Sequence, residues 1–236
     1  MFPMQNTTPR IIAITGPTSA GKTTLGHYLS QSFDAEFSHI RQDDYLKDPS
    51  TYPVKDGHKV WDLPENVQFD VLVSHLVRLK DWEPVNWRTF AKDESDPVYH
   101  YSIQPKPFII LEGTMILMHE KVRELADMKA YLDVPLEVAL ARRKSRALNE
   151  WNMDLGEEDS QIMTPVINKH REVQKFFTDY IVDGTKPKKA VADEVKALVT
   201  TLIKPNENTS LDPSYVSGVW DQSNRAEPFP SDPKVR

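Results

Sequence analysis

Gly16-Pro17-Thr18-Ser19-Ala20-Gly21-Lys22-Thr23 fits the spacing G-x-x-x-x-G-K-[ST], and Thr24 follows it. Glycines at those two places let a backbone curl so that its N–H groups face an anion. The lysine then reaches β- and γ-phosphates, and the hydroxyl after it serves Mg²⁺. These residues predict that a nucleoside triphosphate binds. Two more groups could share its chemistry. Carboxylates stand at Asp43, Asp44 and Glu112, each just after an apolar run. Arg142 and Arg146 are four apart, on one helical face with Arg143 beside them, and three guanidiniums need an anionic partner such as a transferring phosphoryl group.

The elements that must position these residues alternate. RIIAIT at 10 to 15 is a short apolar run ending at Gly16. From Lys22 a helical period carries Leu25, Tyr28, Leu29 and Phe33. EFSHI at 36 to 40 predicts a second strand. Pro64-Glu65 suits the first turn of a helix carrying Val67, Val71, Leu72, Leu76 and Leu79. Phe108 to Leu111 and Ala130 to Val134 are continuous apolar runs, as in strands buried on both faces. Asp133 and Pro135 open a helix with Val138, Ala141 and the arginines. A further helix over about 161 to 177, a strand and turn in YIVDGTK at 180 to 186, and a helix with Val191, Val195, Leu198 and Leu202 complete the pattern. Five short strands alternating with helices predict an α/β fold with a mainly parallel five-stranded sheet. Residues 81 to 107 give no clear period.

The chain has 236 residues, with Lys+Arg 29 against Asp+Glu 35 and a net charge of -6, so no global basic field draws nucleic acid or anionic lipid. With no cysteine, disulfides, cysteine-bound metal and thiol catalysis are excluded. The seven histidines show no metal-ligand spacing. MFPMQNTTPR lacks the apolar core of a signal peptide, and no run approaches about 18 apolar residues, so the expected place is the cytosol or the nucleus. After residue 204 the composition turns to Pro, Ser, Asn and Asp. This divides the chain into a domain over 1–204 and a tail over 205–236, flexible or peripheral.

Among triphosphate binders, guanine-nucleotide switches need D-x-x-G and N/T-K-x-D. No Asp stands three residues before a glycine, and Asn168-Lys169 is followed by His170-Arg171. Motor ATPases usually end an apolar strand in Asp-Glu, where this chain has Leu111-Glu112-Gly113. A small-molecule kinase remains.

Taken with the glycine loop, Gln42-Asp43-Asp44-Tyr45, Trp61-Asp62, IILEG at 109 to 113, ARRKSR at 141 to 146 and VDGTK at 182 to 186 make the chain resemble the nicotinamide riboside kinases of the uridine kinase-like group, over roughly residues 10 to 203. The resemblance implies a P-loop kinase fold with a mobile lid, at about 142–160, and transfer of the γ-phosphate of ATP to the 5'-hydroxyl of a riboside. Nicotinamide riboside, feeding NAD synthesis, is the first substrate expected, and uridine or cytidine the alternative. A nucleotide-binding regulator without turnover is the reading from another class, and Asp43, Glu112 and Arg142 together argue against it. By resemblance Asp43 is the general base and contacts Mg²⁺ together with Thr23 and Glu112, with Asp44 as its rival and Glu112 able to share the base role. Asp44 and Tyr45 then face substrate, Asp62 takes the ribose hydroxyls and Trp61 stacks on the base. Arg142 and Arg146 contact ATP phosphates, Arg143 reaches the ribose, and Lys186 and Lys188 lie on the adenine side. Leu148 stands where some relatives carry a second aromatic residue, with Trp151 three residues on.

Overall fold

The computed structural model describes residues 7–33, 37–55, 57–90, 98–151 and 157–203, with side chains described except at 58, 150–151, 157–163 and 203. The tail over 205–236 and part of the expected lid therefore lie outside the described residues. In chain order the elements are β1 (Arg10–Thr15), α1 (Lys22–Ser32), β2 (Phe37–Arg41), β3 (Val54–Lys55), β4 (His58–Lys59), α2 (Phe69–Lys80), β5 (Val85–Arg88), β6 (His100–Ile103), β7 (Phe108–Gly113), α3 (Glu120–Leu125), β8 (Met128–Asp133), α4 (Leu136–Trp151), α5 (Glu157–Phe176), β9 (Tyr180–Asp183) and α6 (Lys188–Ile203).

Five strands form one sheet in the order β2-β7-β1-β8-β9, every pair parallel. In β1, Ile12 and Ile14 join one apolar cluster with Leu25, Leu29, Val195 and Val199, between the sheet and helices α1 and α6. Ile11 and Ala13 point to the opposite cluster with Leu72, Leu76, Leu79 and Val122, under α2 and α3. Side chains alternate across a strand, so a strand covered on both sides must be apolar throughout. Residues 11 to 15 are all fully buried. The expected sheet is this one.

Parallel strands share a direction, so Thr15, Arg41, Gly113, Asp133 and Asp183 end at one edge. The connections leaving that edge carry the glycine loop, Asp43, Glu112, the arginine helix and Lys186. Open α/β sheets bind ligands there.

Four features differ from the expected elements. Pro64 opens only a 3-10 turn, Pro64–Asn66, and α2 starts at Phe69. Val67 interrupts the helix because it is extended and bridges to Leu46, while the buried Asn66 side chain donates to the carbonyls of Val60 and Trp61. The unreadable stretch holds an antiparallel hairpin, β5–β6, in which Trp87 faces Tyr101. A second hairpin, β3–β4, turns at Gly57 with φ 82°. The six-residue α3 is too short to display a period.

Candidate active site

Gly16 leaves β1 with φ 151°, and a Cβ there would fall 2.5 Å from the Leu132 carbonyl oxygen. The loop is thus pressed against the end of β8, a place only glycine fits. Gly21 takes φ 100° immediately before α1, and no side chain caps that helix. The free N–H groups of its first turn are an anion site. Ser19, at φ 59°, keeps its hydroxyl buried without a hydrogen-bond partner. An orphaned donor inside a glycine loop is what a phosphate oxygen would satisfy.

Lys22 is buried, and its ammonium donates to the carbonyls of Gly16, at 2.9 Å, and Pro17, at 2.8 Å. Burial lowers its pKa, against the opposing pull of Glu112 and Asp43. Thr23 donates its hydroxyl to Glu112 Oε1 at 2.8 Å. Glu112, only 4% exposed, sits above the usual carboxylate range because burial outweighs the attraction of Lys22. Behind it, His39 Nε2 lies 3.9 Å from the carboxylate.

These groups open onto a cleft of about 950 Å³. Its lining includes Thr18 to Thr24 of the glycine loop and α1, the carboxylates Asp43 and Glu112, and the cations Arg142, Arg146, Lys186 and Lys188. Arg142 also reaches the Gly184 carbonyl at 3.4 Å. Gly16 and Pro17 are outside this lining: their carbonyls hold Lys22 instead.

The adjacent aspartates have separate surroundings. Asp43 is exposed and faces the cleft. Asp44 is buried, and its carboxylate accepts from Arg41 Nε at 3.0 Å, Arg41 Nη2 at 2.6 Å and the Tyr101 hydroxyl at 3.0 Å. Tyr45 lies in the core, stacked on Trp87, with its hydroxyl 3.0 Å from His75 Nδ1, and does not line the cleft.

Asp62 pairs with Arg143 at 3.1 Å, both side chains being about four-fifths buried. Arg143 thus has an acidic partner that its sequence neighbourhood does not display. Asp62 borders a second small cavity of about 20 Å³ behind the glycine loop, with Thr18, His170 and Arg171. Trp61 is half-buried, edge-on to Tyr52 at 5.1 Å, and lines neither cavity. Leu148 is 56% exposed and also outside both linings. Trp151 ends α4, and its side chain is outside the described residues.

Gln174 escaped the sequence reading. Its Oε1 accepts from the Thr15 hydroxyl at 2.6 Å and the Leu117 N–H at 3.3 Å, and its amide donates to the Thr114 carbonyl at 2.7 Å, tying α5 to β1 and the β7 connection. The signal was a glutamine four residues after His170, on an otherwise packing stripe. Gln42 behaves alike, accepting from the Met115 N–H at 2.8 Å.

Among the described residues no three His, Asp or Glu side chains come together as a metal cage. Mg²⁺ is commonly held by one or two carboxylates, waters and substrate phosphates. One hydroxyl, Thr23, and two carboxylates, Asp43 and Glu112, lining the same cleft fit that need.

A glycine loop between a strand and a helix, with carboxylates and cations around one cleft, defines a P-loop phosphotransferase. The chain belongs to the phosphoribulokinase/uridine kinase family, whose model matches residues 11–182. It is 30% identical over 211 residues to a uridine kinase of Clostridium botulinum, covering 83% of this chain and 98% of that protein. It is 31% identical over 206 residues to a uridine kinase of Clostridium perfringens, covering 83% of this chain and 97% of the other. A solved structure described as a possible uridine kinase from Bacillus stearothermophilus superposes with a TM-score of 0.52 at 17% identity, over 77% of this chain and 92% of that one. Membership makes the protein a kinase acting on a small molecule and implies ATP as donor. No helix among the described residues is long and apolar enough to cross a membrane.

Proposed function

We propose that the protein transfers the γ-phosphoryl group of ATP to the 5'-hydroxyl of a riboside, with Asp43 as general base. The observation that carries this is the division of labour between neighbours: Asp43 is exposed to the cleft while Asp44 is occupied by Arg41 and Tyr101. Asp43 accepts the hydroxyl proton as the new O–P bond forms and ADP departs with the electron pair of the broken bond. Lys22 exchanges its two loop carbonyls for phosphate oxygens, and Arg142 and Arg146 add positive charge from α4. Asp62 and Arg143 are the groups for the ribose hydroxyls, and Lys186 and Lys188 for the adenine side. Thr23, Asp43 and Glu112 would hold Mg²⁺, which when bound neutralises charge on the phosphates.

Two ribosides stand first for this site. The names of the curated relatives favour uridine. Trp61, the residue before Asp62, speaks for nicotinamide riboside, because an aromatic face attracts a cationic pyridinium, although its ring lines neither cavity in this structure. ADP release measured with uridine, cytidine, nicotinamide riboside and nicotinic acid riboside, in wild type and Asp43→Asn, tests both levels. Turnover with one riboside and its loss in Asp43→Asn is expected. ATP consumption indifferent to all four would overturn the riboside reading. Comparing kcat/KM for uridine and nicotinamide riboside in Trp61→Ala separates the two: a larger loss with nicotinamide riboside supports the cation-stacking role.

A further inference from the structure

The turn that carries Asp43 is clamped from outside the cleft by the β5–β6 hairpin. Tyr101, on β6, donates its hydroxyl to Asp44 Oδ1 at 3.0 Å and accepts from Arg41 Nη2 at 2.9 Å. Trp87, on β5, donates its indole N–H to the Asp44 carbonyl at 3.3 Å. The Trp87 ring also lies between Tyr45 and Tyr101, with centroids 5.0 and 4.8 Å away and planes within 26° and 21°. The four-residue turn Gln42–Tyr45 is therefore held at three of its members: Gln42 by Met115, Asp44 by Arg41 and the hairpin, and Tyr45 by Trp87 and His75. Asp43 alone is left to face the cleft.

We propose that Tyr101 and Trp87 are positioning residues for Asp43, so that the docked hairpin aims the base it never touches. A carboxylate on a one-turn segment has little intrinsic rigidity, since a 3-10 turn is short and its hydrogen bonds are poorly aligned. Proton transfer in line with phosphoryl transfer needs the acceptor within hydrogen-bond reach of the hydroxyl, and small displacements are costly in rate. Fixing both flanking residues fixes the direction of the one between them. Burial and the Asp44 carboxylate raise the Tyr101 pKa, which keeps its hydroxyl protonated and donating.

This inference rests on Asp43 being the base, and the test separates the two. Tyr101→Phe removes the hydroxyl and keeps the ring on Trp87. It should lower kcat about tenfold, with KM for ATP and riboside within about twofold and a melting temperature that falls by only about 4 °C, the cost of one hydrogen bond in a folded protein. Trp87→Phe, which keeps a ring between Tyr45 and Tyr101, should restore most of the activity that Trp87→Ala loses. Combined with Asp43→Asn, Tyr101→Phe should give no further loss in the residual rate, because its effect runs through Asp43. A raised riboside KM at wild-type kcat would mean that Tyr101 contacts substrate and would overturn the proposal, as would the same tenfold loss on top of Asp43→Asn. Wild-type kcat in Tyr101→Phe beside an inactive Asp43→Asn overturns this inference alone. Full activity of Asp43→Asn removes the base assignment and the inference with it.

Discussion

Arg143 Nη1 lies 3.1 Å from Asp62 Oδ2, joining the arginine helix α4 to the loop before α2, two segments 81 residues apart in the chain. Both side chains are largely withdrawn from water, so the pair ties the arginine-bearing helix to the loop that carries Asp62.

Removing either partner strands the other in a partly dry place, which costs more than the pair is worth. Arg143→Ala and Asp62→Ala should each lower unfolding free energy by about 1 to 2 kcal/mol, and the double variant should lose little more than either. Urea unfolding of the four proteins measures the coupling. Additive losses would show that the pair is geometric only.

Lys22→Ala should reduce turnover by at least about a hundredfold, roughly 3 kcal/mol of transition-state stabilisation. The lysine is kept in place by two carbonyls of its own loop and has Glu112 and Asp43 in its field, so no other ammonium can take its position. Coupled ADP release at saturating ATP gives the number. A variant within a few-fold of wild type would contradict the role assigned to the loop.

His39 sets a pH dependence of stability. Burial, reinforced by His27 and Arg41, pushes its pKa down to about 4 from the ordinary 6.5. The unfolded chain takes up this proton below about pH 6.5 and the folded protein only near 4, so stability is full above that window and falls as pH drops through it. The loss is on the order of 2 to 3 kcal/mol. Glu112 acts with the opposite sign, since its raised pKa makes protonation easier in the folded state. Urea midpoints between pH 7 and 4.5 should therefore have a shallower slope in His39→Gln than in wild type. Equal slopes would show that His39 titrates normally.

Gly26 lies in α1 where a Cβ would fall 2.7 Å from His39 Nε2 and 2.8 Å from its Cε1. Alanine normally gains about 1 kcal/mol over glycine inside a helix, and here overpacking should reverse that by about 1 to 3 kcal/mol. Gly26→Ala is expected to destabilise, and Gly26→Ala with His39→Ala to recover most of the loss. Thermal unfolding of both distinguishes a steric cause from a change in the helix itself.

The amino-acid sequence by itself determined the class of fold and one wall of the cleft. Short apolar runs rich in β-branched residues and bounded by glycine, such as RIIAIT, or by glutamate and glycine, such as FIIL, read as strands covered on both faces. The glycine loop is a local motif whose spacing carries its geometry, so Gly16 to Thr24 were legible as a unit. The ends of β1, β2 and β7 likewise announced Lys22, Asp43 and Glu112, because chemistry at the edge of a parallel sheet follows from strand direction. Tertiary structure alone decided what the remaining residues meet. Asp43 and Asp44 are indistinguishable in sequence. A hairpin some 57 residues further on, carrying Tyr101, occupies one and leaves the other open. Tyr45 reads as a site neighbour and is core, since Trp87 and His75 close over it. Arg143 reads as a cation in need of an anionic ligand, and Asp62 answers it from 81 residues away. Periodicity reports burial along one element, whereas pairing across the fold depends on which elements the sheet brings side by side, and no local pattern encodes that.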